Sequence, residues 1–400
     1  MSIILNDAGL HRPLLPLTFT RPVGHLRPGI LRLGEGWYVR SGLAVGYRTE
    51  TYLAGAFPVP EGEVQFEVDG GLFPTDQLVA AVMDLRAGQV LVKDGRALAF
   101  CLEGRSVPGE ADWTAPPAYL TAVPFTGEVI RFERPWQLFQ HCGKAIEHDF
   151  ALLTEGRRSQ PLSALNTVVG DPERIFLEEG AVVEASILNT KAGPIYIGKG
   201  AEVMEGCIIR GPLVLGDHAQ LKMGAKIYGP SAFGPECRIG GEVNNSVVLG
   251  FSNKGHDGFL GNSVLGEWCN LGADTNNSNL KNTYGNVKVF SYAEGRDVDT
   301  GLQFCGLLMG DHSKSGINTM FNTGTVVGVA ANVFGGGFPP KHIPSFSWGG
   351  AEGLDVHDVD RALGTARRVM ERRHVPLSAA DEAILRQVAS MDGPGVDPVG

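Results

Sequence analysis

The chain has 400 residues and a formal net charge of −10, enough length for two or three domains. That acidic balance argues against a nucleic-acid partner, which needs clustered Lys and Arg, but not against a phosphorylated ligand held by a few local cations. No run approaches the roughly 20 apolar residues that span a bilayer, so no membrane partner is expected, and the first residues lack the character of a signal peptide.

Residues 1–165 are expected to form an α/β domain. Short strand candidates lie at 2–5, 43–49, 89–92 and 97–102, separated by Pro-rich breaks. Residues 75–85 suggest a helix with Thr75 as its N-cap. Residues 136–153 suggest a helix that connects this domain to the next.

From Ile197 an apolar side chain recurs at every sixth position: Ile197, Val203, Ile209, Leu215, Leu221, Ile227, Phe233, Ile239. Ile175, Ala181 and Ile187 form an earlier series, and Leu265, Leu271, Met309, Phe321, Val327 and Val333 a later one. A period of six is neither helical nor a simple strand alternation. It fits a chain that turns a corner every six residues and points one side chain inward each time, so that three edges close a triangular coil. The 55 Gly residues, without a collagen period, fit the many tight turns such coils need. The expected fold class is therefore mixed: an N-terminal α/β domain, a left-handed parallel β-helix of hexapeptide repeats over 166–345, and a C-terminal helical segment over 346–400. In that C-terminal segment Val356, Val359, Leu363, Ala366 and Met370 space as one apolar stripe, and Ser378 with Asp381 forms a capping box for a final helix.

Two stretches are read as interruptions of the coils, 251–258 and 273–305. Interruptions are where a packed coil can carry chemistry. The first contains Gly255-His256-Asp257-Gly258. Acyl transfer from a thioester to an amine needs a base near pH 7 and a donor for the oxyanion. His supplies such a base, and His256 is the candidate. The second begins at Cys269-Asn270-Leu271-Gly272-Ala273 and is rich in Asn. Carboxamides pair with sugar hydroxyls, although Asn also favours left-handed turns and ladders. A third stretch, Gly310-Asp311-His312-Ser313-Lys314, offers a rival base in His312 and a cation in Lys314, or simply an exposed corner. The Arg residues of the C-terminal segment, including Arg372 and Arg373, read as a solvated helix face, with a coenzyme phosphate as the alternative. The six Cys show no C-x-x-C pair, so no metal site is expected, and they fit a reducing cytoplasm.

The stretch GHDGFLGNSVLGEWCNLGADTNN resembles the acetyltransferase part of the bifunctional UDP-N-acetylglucosamine pyrophosphorylase/glucosamine-1-phosphate N-acetyltransferase family, GlmU. The segments PLTFTRPVGHLRPGI, LKMGAKIYGP and DTGLQFCGLLMGDHSKSGINTMFNTGTVVG resemble a bacterial branch of that family described as sugar nucleotidyltransferases. The resemblance implies an amino-sugar-phosphate N-acetyltransferase that uses acetyl-CoA and works as a homotrimer. It puts the catalytic base on His256 and sugar contacts on Asn270 and Asn279. It puts acetyl-CoA contacts on Ala273, Asp311 and Thr323. The family's phosphate-binding Lys falls near Asn245, so Lys222, Lys226 or Lys254 is expected to substitute. Two family Tyr positions are Phe259 and Leu280 here. The pyrophosphorylase loop is also missing, since Leu5 runs into Asn6-Asp7-Ala8-Gly9, which leaves Arg21 and Arg27 as the nearest cations for a nucleotide. Nucleotide transfer would bring Mg²⁺ with the triphosphate. The rival readings are a nucleotidyltransferase whose β-helix is structural or regulatory, and a non-catalytic trimeric assembly protein.

Overall fold

The computed structural model describes residues 1–60, 64–103, 113–115 and 117–396. They group into two compact units. The first comprises Met1–Leu14, Arg21–Arg27 and Leu31–Arg134, and the second Leu15–Thr20, Pro28–Ile30 and Pro135–Gly400.

The first unit is built on six strands: β1 (Ser2–Asn6), β2 (Ala44–Arg48), β3 (Val64–Asp69), β4 (Gln89–Lys93), β5 (Arg96–Glu103) and β6 (Thr121–Pro124). Their order is β2-β1-β3-β5-β4-β6. β1 is parallel to both β2 and β3, while β5 runs antiparallel to β3 and β4. The tight β4–β5 hairpin turns on Asp94 and Gly95, both at positive φ, the Asp-Gly chemistry that two-residue hairpins select. Helices α1 (Leu33–Ser41), α2 (Thr51–Ala54) and α3 (Asp76–Met83) complete the unit. Thr75 caps α3, its hydroxyl accepting from the Leu78 amide. Ile3, Leu5, Trp37, Phe66, Val68, Leu78 and Val82 form the core.

Helix α4 (Gln137–Thr154) groups with the second unit, whose long continuous segment begins at Pro135. It packs against the coil strands Ser231–Phe233 and Val247–Gly250, and its Gly143 lies close to Pro230.

The second unit is a left-handed parallel β-helix followed by helices. Its coils have three faces. Face one runs from Thr167–Val169 to Phe259–Gly261, face two from Ile175–Leu177 to His342–Ile343, and face three from Val182–Val183 to Ser347–Gly350. The eight residues from Ile197 to Ile239 all point inward, none more than 1% exposed. Burying side chains of that size stabilises by about 1.5–3 kcal/mol each. Ile187 is a correction: it is 41% exposed, and Leu188 takes the inward place opposite Ile209. The corner at Ala185 is one residue shorter than its neighbours, which shifts the phase.

The stretch 251–258 is no interruption either. Leu215 pairs with Phe233 eighteen positions on, but Phe233 with Val248 and Ile239 with Lys254 only fifteen on. The next coil takes seventeen, Val248 to Leu265. The hexad lapses in the sequence because these coils are short, while the stack continues. The true excursion comes after Asn276–Asn277. It contains the antiparallel pair Lys288–Ser291 and Arg296–Asp299, and the chain rejoins the stack at Leu308–Met309. The stack closes with Gly353–Val356, antiparallel to Ser347–Gly350. Val356 is thus an exposed strand residue and not part of the helical stripe. Helices α5 (Val359–Glu371) and α6 (Ala379–Asp392) complete the chain, and α6 carries the Ser378/Asp381 capping box. Among the described residues no helix is long and apolar enough to cross a membrane.

Candidate functional site

One corner between faces two and three is built by a ladder of residues at positive φ: Gly200, His218, Glu236, Phe251, Trp268, His312, Ala330 and Phe346. From His218 on, each amide in this series donates to a carbonyl of the preceding coil, as in Phe251 to Pro235, Trp268 to Gly250 and His312 to Glu267. The stacking brings three rings together. Phe251 and Trp268 lie 4.2 Å apart at 18°, and Trp268 and His312 6.3 Å apart at 13°.

Two residues past each ring, face three presents an outward polar side chain: Asn253, Asn270 and Lys314. Three residues further stand His256, Ala273 and Ile317, at the corner between faces three and one. The corner can carry His256 because Gly241, at positive φ, sits beneath it. A Cβ there would lie 2.8 Å from the His256 carbonyl. Phe251, Trp268, the carboxamides and the corner together line a cleft of about 710 Å³, with Val369 of α5 and Arg372 and Arg373 at the end of that helix.

His256 is an exposed residue and lines this cleft with Asn270 and Ala273. Lys222, Arg238, Arg372 and Arg373 also line the cleft. Glu236 offsets part of that charge, 3.1 Å from Arg238 and 3.6 Å from Arg373, and Arg373 donates to Asn253 at 3.2 Å. Burial first, and then the neighbouring Arg238, lowers the pKa of Lys222. Burial also lowers that of Lys314, whose ammonium donates to the His312 carbonyl at 2.7 Å. A concave site lined by crowded cations and an imidazole suits a ligand that is anionic in one part and reactive in another. The thiol of Cys269 is no nucleophile: burial, followed by Asp311, pushes it up to about 12. Among the described residues no cluster of His, Cys, Asp and Glu could hold a metal ion.

Of the residues singled out from sequence, the cleft gathers His256, Asn270, Ala273, Lys222, Lys314, Arg372 and Arg373. Lys254 lies behind it, 2% exposed, with its side chain in the inward ladder, so it is not open to an acceptor phosphate. The fifteen-residue coil puts it there. Asn279 sits at another corner, donating to Asn262 at 2.8 Å. Asn262 in turn meets Asn245, whose properly oriented amide caps the carbonyls of Pro230 and Phe139, so the three Asn form a ladder. Lys226 is exposed on face one, away from the cleft lining. Asp311 is buried and already engaged, accepting from the Glu267 amide and the Thr20 hydroxyl. Thr323 is 3% exposed and does not line the cleft. In the first unit Arg21 and Arg27 are both buried, and Arg27 faces Glu35 at 3.2 Å. Neither presents an open cation to a nucleotide.

Sequence reasoning passed over Arg238, Phe251 and Trp268; for Arg372, Arg373 and Lys314 it favoured a solvated face or exposed corner over the ligand-facing role that their place in the cleft allows. A signal for part of this was present. Phe251-Ser-Asn-Lys-Gly-His, Trp268-Cys-Asn-Leu-Gly-Ala and His312-Ser-Lys-Ser-Gly-Ile are one motif repeated on three successive coils.

Residues 3–158 match the family described as Sugar nucleotidyl transferase. The match covers the first unit and α4, and stops before the coils. The crevice where a parallel sheet binds ligands lies at the carboxyl ends of β1 and β3, because the chain leaves β1 for β2 and returns to β3. Here Asp7 accepts from the Val23 amide at 2.8 Å and from Thr49 at 2.6 Å, and the Gly70 amide donates to the Asn6 carbonyl. The chain's own segment thus occupies part of that crevice. Among curated proteins nothing matches the sequence. Two solved structures share slight likeness. One is an Arabidopsis UDP-N-acetylglucosamine acyltransferase, at 12% identity and a TM-score of 0.21, covering 54% of this chain and 80% of that one. The other is a UDP-N-acetylglucosamine acyltransferase from Campylobacter jejuni, at 12% identity and 0.21, covering 60% and 100%. Neither bears on what this chain does. Membership of the GlmU family specifically is not established by these matches; the N-terminal likeness to sugar nucleotidyl transferases is.

Proposed function

We propose that the coil unit transfers an acetyl group from acetyl-CoA to the amine of an amino-sugar phosphate, with His256 as the base. The observation that carries this reading is the cleft itself, lined by an exposed imidazole, a carboxamide and crowded cations. His256 takes the amine proton as the nitrogen attacks the thioester carbonyl, and collapse of the adduct releases the thiolate of CoA. Asn270 orients the sugar, and the backbone at Ala273 runs beside the thioester. Arg238, Arg372 and Arg373 hold the phosphates of the coenzyme.

The working form in this reading is a homotrimer in the cytoplasm. Met223 and Ile317 are 73% and 72% exposed at the corner that carries His256, and a neighbouring copy would cover them. Asn279 and Lys226 reach an acceptor only if such a copy brings them. The family match of residues 3–158 supports a second reading, in which the first unit binds or transfers a nucleotide, with Mg²⁺ on the triphosphate. The partly occupied crevice and the buried Arg21 and Arg27 favour binding or assembly over transfer.

The test is thiol release from acetyl-CoA with glucosamine-1-phosphate, comparing the wild type with His256→Ala. The variant should lose at least about a hundredfold in rate while keeping its fold. Absence of release by the wild type across a panel of amino sugars would overturn the reading.

A further inference from the structure

On face three the inward residues, coil after coil, are Val183, Val203, Leu221, Ile239, Lys254, Leu271, Ser315 and Val333. Seven are apolar or small, and one is an ammonium-bearing chain 2% exposed. Burying an ammonium is costly unless it is paired and hydrogen-bonded. Among the described residues Lys254 forms no ion pair within 4 Å; its Nζ donates to one atom, the carbonyl oxygen of His256, at 2.6 Å. Burial lowers its pKa to about 8, against the opposing pull of Asp257 and Asp274. A leucine at this place would suit the core better, as Leu271 does one coil on. The cost therefore has to be offset at the corner, and the corner group that the ammonium meets is the His256 backbone.

We infer that Lys254 is a positioning residue: from inside the coil it ties down the carbonyl of His256 and so fixes the direction in which the imidazole enters the cleft. The tether complements its surroundings. Gly255 and Gly258 flank His256 and Asp257, so this short corner has little stiffness of its own. The Asp257 carbonyl accepts from the Asp274 amide at 3.0 Å, which pins the far side of the corner. Lys254 pins the near side. The catalytic part of this inference rests on acyl transfer with His256 as base; the structural part does not.

Lys254→Met keeps the length of the side chain and suits the inward ladder. Its melting temperature is expected to equal or exceed that of the wild type. Exchange of the Asp274 amide, which the corner protects through the Asp257 carbonyl, is expected to quicken at least tenfold, with exchange in the coils from 195 to 239 unchanged. The kcat for thiol release is expected to fall about tenfold, with the KM for acetyl-CoA unmoved, since the cations that line the cleft are untouched. His256→Ala serves as the comparator, because it removes the imidazole but leaves the carbonyl and should not alter exchange at the corner. Unchanged exchange at the Asp274 amide in Lys254→Met, or an unchanged kcat, would overturn the inference. A wild type that releases no thiol would sink the acyl-transfer reading alone, and the exchange comparison would still decide whether Lys254 holds the corner.

Discussion

The carboxylate of Asp392, at the end of α6, accepts from both the amide and the hydroxyl of Ser345, at 2.9 and 2.6 Å. Tyr292, from the excursion between coils, donates to the same oxygen at 3.1 Å. One buried acid thus joins the last helix, the last coil and the excursion.

That acid makes stability depend on pH. Burial pushes Asp392 up to about 6, against the hydrogen bonds from Ser345 and Tyr292. Its folded pKa lies above the ordinary carboxylate value, so the stability linked to its neutral form is complete below about pH 4 and is lost as pH rises through about 6, a change of about 2–3 kcal/mol. Asp392→Asn has no such titration. The stability of the variant relative to the wild type should therefore climb between pH 4 and pH 7. Denaturation curves at those two pH values check this, and parallel behaviour of the two proteins would show that Asp392 does not titrate in that window.

The cations at the end of α5 should govern the grip on coenzyme and leave the fold alone. Arg372→Gln with Arg373→Gln is expected to weaken CoA binding by about tenfold or more, given roughly 1.5–3 kcal/mol for a hydrogen bond to a charged group. Affinity of the wild type should fall as salt rises, and that of the double variant should fall less. Calorimetric titration with CoA at two ionic strengths measures both. Equal affinity in the two proteins would remove the end of α5 from the site.

The coils leave no room above Gly234. A Cβ there would stand 1.9 Å from the Leu249 carbonyl oxygen, which is backbone and cannot swing away. Gly234→Ala should cost about 3 kcal/mol or more, at the upper end of what overpacking does. Gly336→Ala, with nothing within 4 Å, is the control and should be near neutral. Chemical denaturation of both variants makes the comparison, and a Gly234→Ala protein as stable as its control would mean the coils can separate locally.

Much of the fold was legible because a β-helix writes its core at a fixed period. Ile197 to Ile239 announced themselves, and the Ser378/Asp381 box marked α6. Legibility failed where coil length changed. With fifteen and seventeen residues per turn the count slipped, and Lys254 was taken for a loop cation instead of a core residue. The cleft was half visible. His256 stood out by its flanking glycines, whereas Arg373 meets Asn253 only through the packing of a helix that lies 120 residues further along the chain. No local pattern reports such a contact. The N-terminal strands could be found from their composition, but their order depends on pairings between distant segments.

The excursion between Asn277 and Leu308 leaves the stack and returns to it in register, Val264 and Leu265 pairing with Leu308 and Met309 as closely as in any uninterrupted coil. The scaffold therefore tolerates a long detour as a shelf tolerates a drawer. The loops of the excursion can lengthen while Tyr292 keeps its bond to Asp392 and the coils above and below keep their seats. New contacts to partners or substrates can then arise at one storey of the column without renegotiating the rest.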